Sequence, residues 1–200
     1  TGGSPIELKW AKEHCVAILM VWYPGEAGGE AMADVIFGDY NPAGRLPLTF
    51  IKSLKDIPEF TDYRMKGRTY RFMKKEPLYH FGYGLSYTSF AYKKLKIDGL
   101  KVTVDVKNSG KSDGDEVVQV YLSDNPANVP TPLKQLIAFK RVRIKAGQTK
   151  TVSFNLKRRE LAAYDDEGKR FVAPGSYRIS VGGGQPNVET STVVEGNLEI

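Results

Sequence analysis

Two apolar rhythms divide the chain. From about Phe90 onward apolar and polar residues alternate: Val102, Val104 and Val106 are interleaved with Lys101, Thr103 and Asp105, and Val118, Val120 and Leu122 repeat the pattern. Period two is the mark of a strand with one face buried. Further strands are predicted over 136–144, 149–156, 170–172 and 177–181, with another in the tail over 190–194. Turn residues separate them at Asn108-Ser109-Gly110, Ala146-Gly147-Gln148 and Ala173-Pro174-Gly175.

The first ninety residues read differently. Val16 to Val21 is an unbroken apolar hexamer, which predicts a strand of a parallel sheet covered on both faces. Pro24 and Gly25 end it, and Gly28 and Gly29 open a helix whose apolar positions are Met32, Val35 and Ile36 and whose stop is Gly38. A shorter helix is expected over 6–13, capped by Ser4, with Pro5 in its first turn. Residues 45–50 read as an extended segment that Pro47 restricts to a sheet edge or an irregular path. Residues 51–75 lose periodicity and predict a long surface excursion. Its Asp62-Tyr63-Arg64 and Gly67-Arg68-Thr69-Tyr70-Arg71 suit sugar or carboxylate contacts and suit packing equally, packing being the expectation. The aromatic and glycine-rich stretch 78–88 is expected to clasp one domain to the next.

These patterns predict α/β followed by all-β: a partial α/β sandwich with a parallel-sheet remnant over residues 1–90, then a β-sandwich over 91–200. Cys15 stands alone, so no internal disulfide is possible, and a fibronectin type III-like sandwich is preferred to a disulfide-linked immunoglobulin one. Beside the apolar hexamer, Cys15 is expected to be a buried, inert thiol. His14 and His80 lack metal-ligand spacing, and Asp165-Asp166-Glu167-Gly168 reads as a solvated hairpin turn rather than a calcium loop. Gly182-Gly183-Gly184 reads as a strand end rather than a phosphate loop. No cofactor or metal is implied.

Charge narrows the partners. The chain carries +6. Residues 1–90 hold 11 Lys and Arg against 10 Asp and Glu, and the remainder holds 18 against 13. The surplus is spread along alternating strands, without the aromatic and basic clusters that stack bases, so no nucleic acid is expected. The longest apolar run is too short for a membrane helix. The chain opens on Thr1 rather than a methionine, the expectation being a start inside a longer precursor, and location stays open among periplasmic, secreted and cytoplasmic.

The loop Trp22-Tyr23-Pro24-Gly25-Glu26-Ala27-Gly28-Gly29 is where ligands sit in open α/β sheets. Glu26, Glu30 and Asp34 follow at four-residue spacing; acid–base work is one reading and helix-end stabilisation the preferred one. That loop, with Ala33 to Pro47, resembles the C-terminal half of glycoside hydrolase family 3 enzymes. Phe81 to Thr88 resembles the segment leading out of that family's α/β sandwich domain. Val106 to Gly110 and Gly114 to Tyr121 are similar to its trailing fibronectin-like domain. His80 departs from the family, which usually has proline there.

The resemblance implies a retaining β-glycosidase of the β-glucosidase or β-xylosidase type, acting on an oligosaccharide or β-glycoside. Gly67 to Phe72 is faintly similar to the xylosidase-like branch. In that family the nucleophilic Asp lies in an N-terminal barrel and the acid–base Glu lies upstream of the segment where this chain begins. No catalytic residue therefore falls in this sequence, and the expected partner is the barrel with the remaining sandwich segment of the same enzyme. Trp22 and Glu26 are the candidate substrate-binding residues, at a pocket rim. The alternative is a non-catalytic carbohydrate-binding or cell-surface module built on residues 91–200.

Overall fold

Alternating valines build the core that the period-two pattern requires. The computed structural model describes residues 2–188 and 191–200. Nine strands occur among them: β1 (Phe90–Asp98), β2 (Lys101–Asn108), β3 (Gly114–Ser123), β4 (Gln135–Ile144), β5 (Thr149–Asn155), β6 (Ala163–Tyr164), β7 (Arg170–Phe171), β8 (Ser176–Gly182) and β9 (Val193–Glu199). A three-stranded sheet runs β1-β2-β5, a four-stranded sheet β4-β3-β8-β9, and β6 pairs with β7 as a separate hairpin. Every pair of these strands is antiparallel. Val102, Val104 and Val106 from one sheet meet Val118, Val120, Ile179 and Val181 from the other in a single buried cluster. Two antiparallel sheets packed on one core are the all-β sandwich that the alternation predicts. Tyr177 is buried at the start of β8, and its hydroxyl donates to the Ala173 carbonyl at 2.5 Å, the corner bond typical of such sandwiches.

The turn readings hold where chain direction reverses. Asp165 to Gly168 forms the β6–β7 hairpin turn, the Asp165 carboxylate accepting from the backbone N–H groups of Glu167 and Lys169. Gly182 closes β8. The tail strand begins at Val193, later than expected, and Thr190 of the expected span lies outside the described residues.

The first part of the chain is where expectation and structure separate. Helix α1 spans Lys9–His14; Ser4 does not cap it, and the Glu7 carboxylate instead accepts from the Lys9 N–H at 2.8 Å. Helix α2 spans Gly28–Phe37 and stops at Gly38, whose φ of 88° is left-handed, as the sequence predicted. Residues 16–21 are not a strand, and no parallel sheet forms among the described residues. A parallel strand draws all its backbone hydrogen bonds from neighbours, and no described strand lies alongside this one. The hexamer therefore lies uncovered, with Val16, Ile18 and Leu19 exposed. Cys15 shares that exposure, against the buried thiol expected. Residues 45–50 take the irregular path Pro47 allowed, touching sheet geometry only where Phe50 bridges Tyr79.

Candidate functional site

The loop after the hexamer is shaped by close packing. Gly25 turns the chain with φ of 75°, and its carbonyl accepts from the Gly28 N–H at 3.2 Å. A Cβ on Gly28 would fall 2.6 Å from the Pro24 ring, so only glycine lets the turn close onto the helix. Trp22 has a left-handed φ of 51° and lays its ring against Phe50, centroids 6.3 Å apart. Phe50 is buried and exchanges backbone hydrogen bonds with Leu78 and Tyr79. Trp22 thus stands half-buried at the edge of an aromatic group, with Glu26 exposed on the following turn. Glu30 lies in the first turn of α2, where the dipole favours a negative charge, and Glu26 precedes the helix. No group of three or more His, Cys, Asp or Glu side chains converges on a possible metal position among the described residues.

A buried polar network joins the two parts of the chain. Arg45 Nη2 donates to Glu116 Oε2 at 2.7 Å, and the Tyr92 hydroxyl donates to Glu116 Oε1 at 2.5 Å. Glu116 is only 3% exposed. Burial pushes its carboxyl pKa up, while Arg45 and the Tyr92 bond pull it down. Burial also raises the Tyr92 hydroxyl, with the Glu116 charge adding to the effect. Asn41 accepts from Ser86 Oγ and Tyr87 N–H, both at 2.9 Å, and donates to the Asp113 carbonyl at 3.0 Å. The Tyr87 hydroxyl reaches the Val35 carbonyl of α2 at 2.5 Å, and Arg141 on β4 donates to the Tyr40 hydroxyl.

The aromatic stretch packs as the expected clasp. Tyr70 stacks on Phe81 at 4.2 Å and meets Tyr121 edge-on. Gln119 donates to the carbonyls of Gly82 and Gly183, and its own oxygen accepts from Tyr121. Arg68 donates to the carbonyls of Glu59 and Asp62, and Arg71 to Gln135 on β4, so these guanidinium groups serve packing. The sandwich offers Phe139 and Tyr164 as exposed aromatic rings, on different sheets rather than in one row.

Sequence reasoning missed Glu116, Tyr92 and Gln119. The signal for Glu116 was present: it is in phase with Val118, Val120 and Leu122, and a carboxylate on the buried phase of a strand demands a partner.

Comparison with known proteins fits this architecture. Residues 1–87 match the Glycosyl hydrolase family 3 C-terminal domain and residues 116–185 the Fibronectin type III-like domain. A beta-xylosidase of Formosa agariphila is 42% identical over 96% of this chain and 28% of its own length. A periplasmic beta-glucosidase of Salmonella typhimurium is 37% identical over 99% of this chain and 28% of its own. The crystal structure of a beta-glucosidase from Kluyveromyces marxianus in complex with glucose superposes with a TM-score of 0.83 at 33% identity, covering 100% of this chain and 26% of that one. The chain therefore spans little more than a quarter of these relatives. By this homology it belongs to glycoside hydrolase family 3, as a C-terminal domain followed by a fibronectin type III-like domain, similar to the C-terminal parts of β-glucosidases and β-xylosidases.

Proposed function

We propose that this chain is the C-terminal part of a retaining β-glycosidase that removes terminal non-reducing β-D-glucosyl or β-D-xylosyl residues. The observation that carries the reading is the end-to-end match to a β-xylosidase and a β-glucosidase, each several times longer than the chain. In this reading residues 1–90 complete an α/β sandwich, the fibronectin-like sandwich orients it, and the nucleophilic Asp and acid–base Glu are supplied by polypeptide upstream. Trp22 and Glu26 contribute to the rim of the sugar pocket. The exposed apolar groups of Val16, Ile18, Leu19, Ile36 and Phe37 support a partner surface, since exposed apolar area of this kind marks sites of protein–protein contact. The barrel and the remaining sandwich strands are the covering partner.

Chemistry follows from that division of labour. Two carboxyl groups perform double displacement through a glycosyl-enzyme intermediate, and the segments described here bind, orient and exclude water. The test is co-expression of the chain with an N-terminal barrel-containing partner, assayed on nitrophenyl β-glucoside and nitrophenyl β-xyloside. The chain alone is expected to hydrolyse neither, and the complex at least one. A well-formed complex inactive on both substrates overturns the proposal.

A further inference from the structure

Between the clasp and the sandwich lies a cleft of about 170 Å³, lined among others by Thr49, Tyr70, Lys74, His80, Lys134 and Gln185. Among the described residues its charge is unbalanced. Glu76 lines it too, but that carboxylate is taken by Lys52 at 3.1 Å, and Lys75 is held by Asp56 at 3.2 Å. Lys134 spends one N–H on the Pro186 carbonyl at 3.0 Å and has no carboxylate partner among the described residues. Two of its three ammonium donors remain for something else. Lys74 likewise forms no ion pair among the described residues, and Thr49 Oγ1 is buried there without a hydrogen-bond partner. Burial depresses the pKa of both Lys134 and His80, and for His80 the positive charge of Lys134 adds to the effect.

A half-buried cation without a counter-charge is costly, and an entering anion removes that cost. The volume is below the roughly 300–1,000 Å³ of sites for larger ligands, which favours a single monosaccharide-sized group over an oligosaccharide chain. We propose that this cleft binds the carboxylate of an acidic monosaccharide, a hexuronic acid, with Lys134 as its principal contact and Lys74 at the mouth. The choice of a sugar acid rests on the glycosidase reading above; an oxyanion site at Lys134 does not.

The experiment is calorimetric titration of the 200-residue chain with sodium glucuronate, glucose and inorganic phosphate in parallel. Glucuronate is expected to saturate, glucose to give no heat of binding, and added salt to weaken the interaction. Lys134→Met, which keeps the stem and removes the charge, is expected to lower glucuronate affinity by about tenfold or more. Should that variant lose the wild-type thermal transition, Lys74→Gln at the exposed mouth carries the test, with a severalfold loss expected. Equal binding of glucose, unchanged affinity in the charge-removing variants, or saturation by phosphate without glucuronate each overturns the proposal. Because the readout is binding to this chain, failure of the hydrolysis assay leaves the titration meaningful.

Discussion

Removing Arg45 is the sharpest test of how the chain is held together. Its side chain is 10% exposed and that of Glu116 3%, so Arg45→Met leaves a carboxylate in the interior with the Tyr92 hydroxyl and the Val117 backbone N–H to stabilise it but no counter-charge from Arg45. Breaking a buried pair from one side costs roughly 3–5 kcal/mol. At a urea slope of about 2 kcal/mol/M this moves the unfolding midpoint down by roughly 1.5–2.5 M. Arg45→Met/Glu116→Gln is expected to regain a good part of the loss, since a neutral amide still accepts from Tyr92 and no longer carries a buried charge. The sign with pH follows from the raised carboxyl of Glu116. A group that holds its proton more tightly when folded contributes stability below its unfolded pKa, and that contribution is lost as pH rises through its folded pKa. Arg45→Met removes an attraction that favours the ionised form, so its deficit is expected to be larger at pH 7 than below the ordinary carboxylate range. Urea titrations of the wild type, both single variants and the double variant at two pH values measure all of this. A deficit for Arg45→Met under about 1 kcal/mol, or one that grows on acidification, refutes the reasoning.

Other perturbations probe neighbouring parts of the same architecture. Gly82 has φ of 80°, and a Cβ there would meet Gln119 Oε1 at 2.4 Å and the Tyr121 hydroxyl at 2.7 Å, so Gly82→Ala is expected to cost about 2–5 kcal/mol in urea unfolding. Buried Asn108 accepts from Thr88 and Gly110 and donates to the carbonyls of Ser112 and Ile144, so Asn108→Asp, which places acceptors against those carbonyls, should destabilise more than Asn108→Ala. Tyr177→Phe loses the corner bond to Ala173 and is expected to cost about 1 kcal/mol by the same measurement. On the proposed partner surface, Leu19→Asp/Ile36→Asp should leave the chain's own stability within about 0.5 kcal/mol while abolishing assembly with the N-terminal partner in a co-purification assay.

How far these features were legible depends on what each residue needs. Strands β2, β3, β5 and β8 announced themselves because apolar residues keep one alternating phase along each, even where the paired strand lies far away in the sequence. Strand β1 did not, because its pairing with β2 shifts register between Lys93 and Lys96. That bulge moves the buried phase from Tyr92 to Leu95 and Ile97, so no single alternation spans the strand. The hexamer at Val16 to Val21 failed for the opposite reason. Its pattern states that the segment is to be desolvated on both faces, and nothing in a local pattern supplies the neighbours that would do so. Cys15 followed it, its burial having been inferred from the same absent cover. The loop glycines were legible as ending the hexamer and opening a helix, whereas the approach of the Pro24 ring to Gly28 is seen only in the folded chain.

The distribution of polar and apolar surface explains why the same ninety residues behave in two ways. Residues 39–50 and 78–88 bring polar groups that find their partners within the chain: Asn41 on Asp113, Arg45 on Glu116, Thr88 on Asn108, and the Gly82 carbonyl on Gln119. Each such bond is satisfied only when the segment lies on the sandwich, so this part is held with the β domain whatever else is present. Residues 6–37 bring chiefly apolar groups, tied to the rest through a few contacts such as Trp22 on Phe50 and the Tyr87 hydroxyl on the Val35 carbonyl. Apolar surface is not directional and will accept any complementary cover, whereas hydrogen bonds fix orientation. On the proposed function, the clasp sets where the Trp22 loop stands and the uncovered apolar surface supplies the affinity for the upstream polypeptide. In the proposed reading the sandwich thereby positions the loop of Trp22 and Glu26 before the upstream polypeptide arrives, and that positioning is the mechanical use of the fibronectin-like domain.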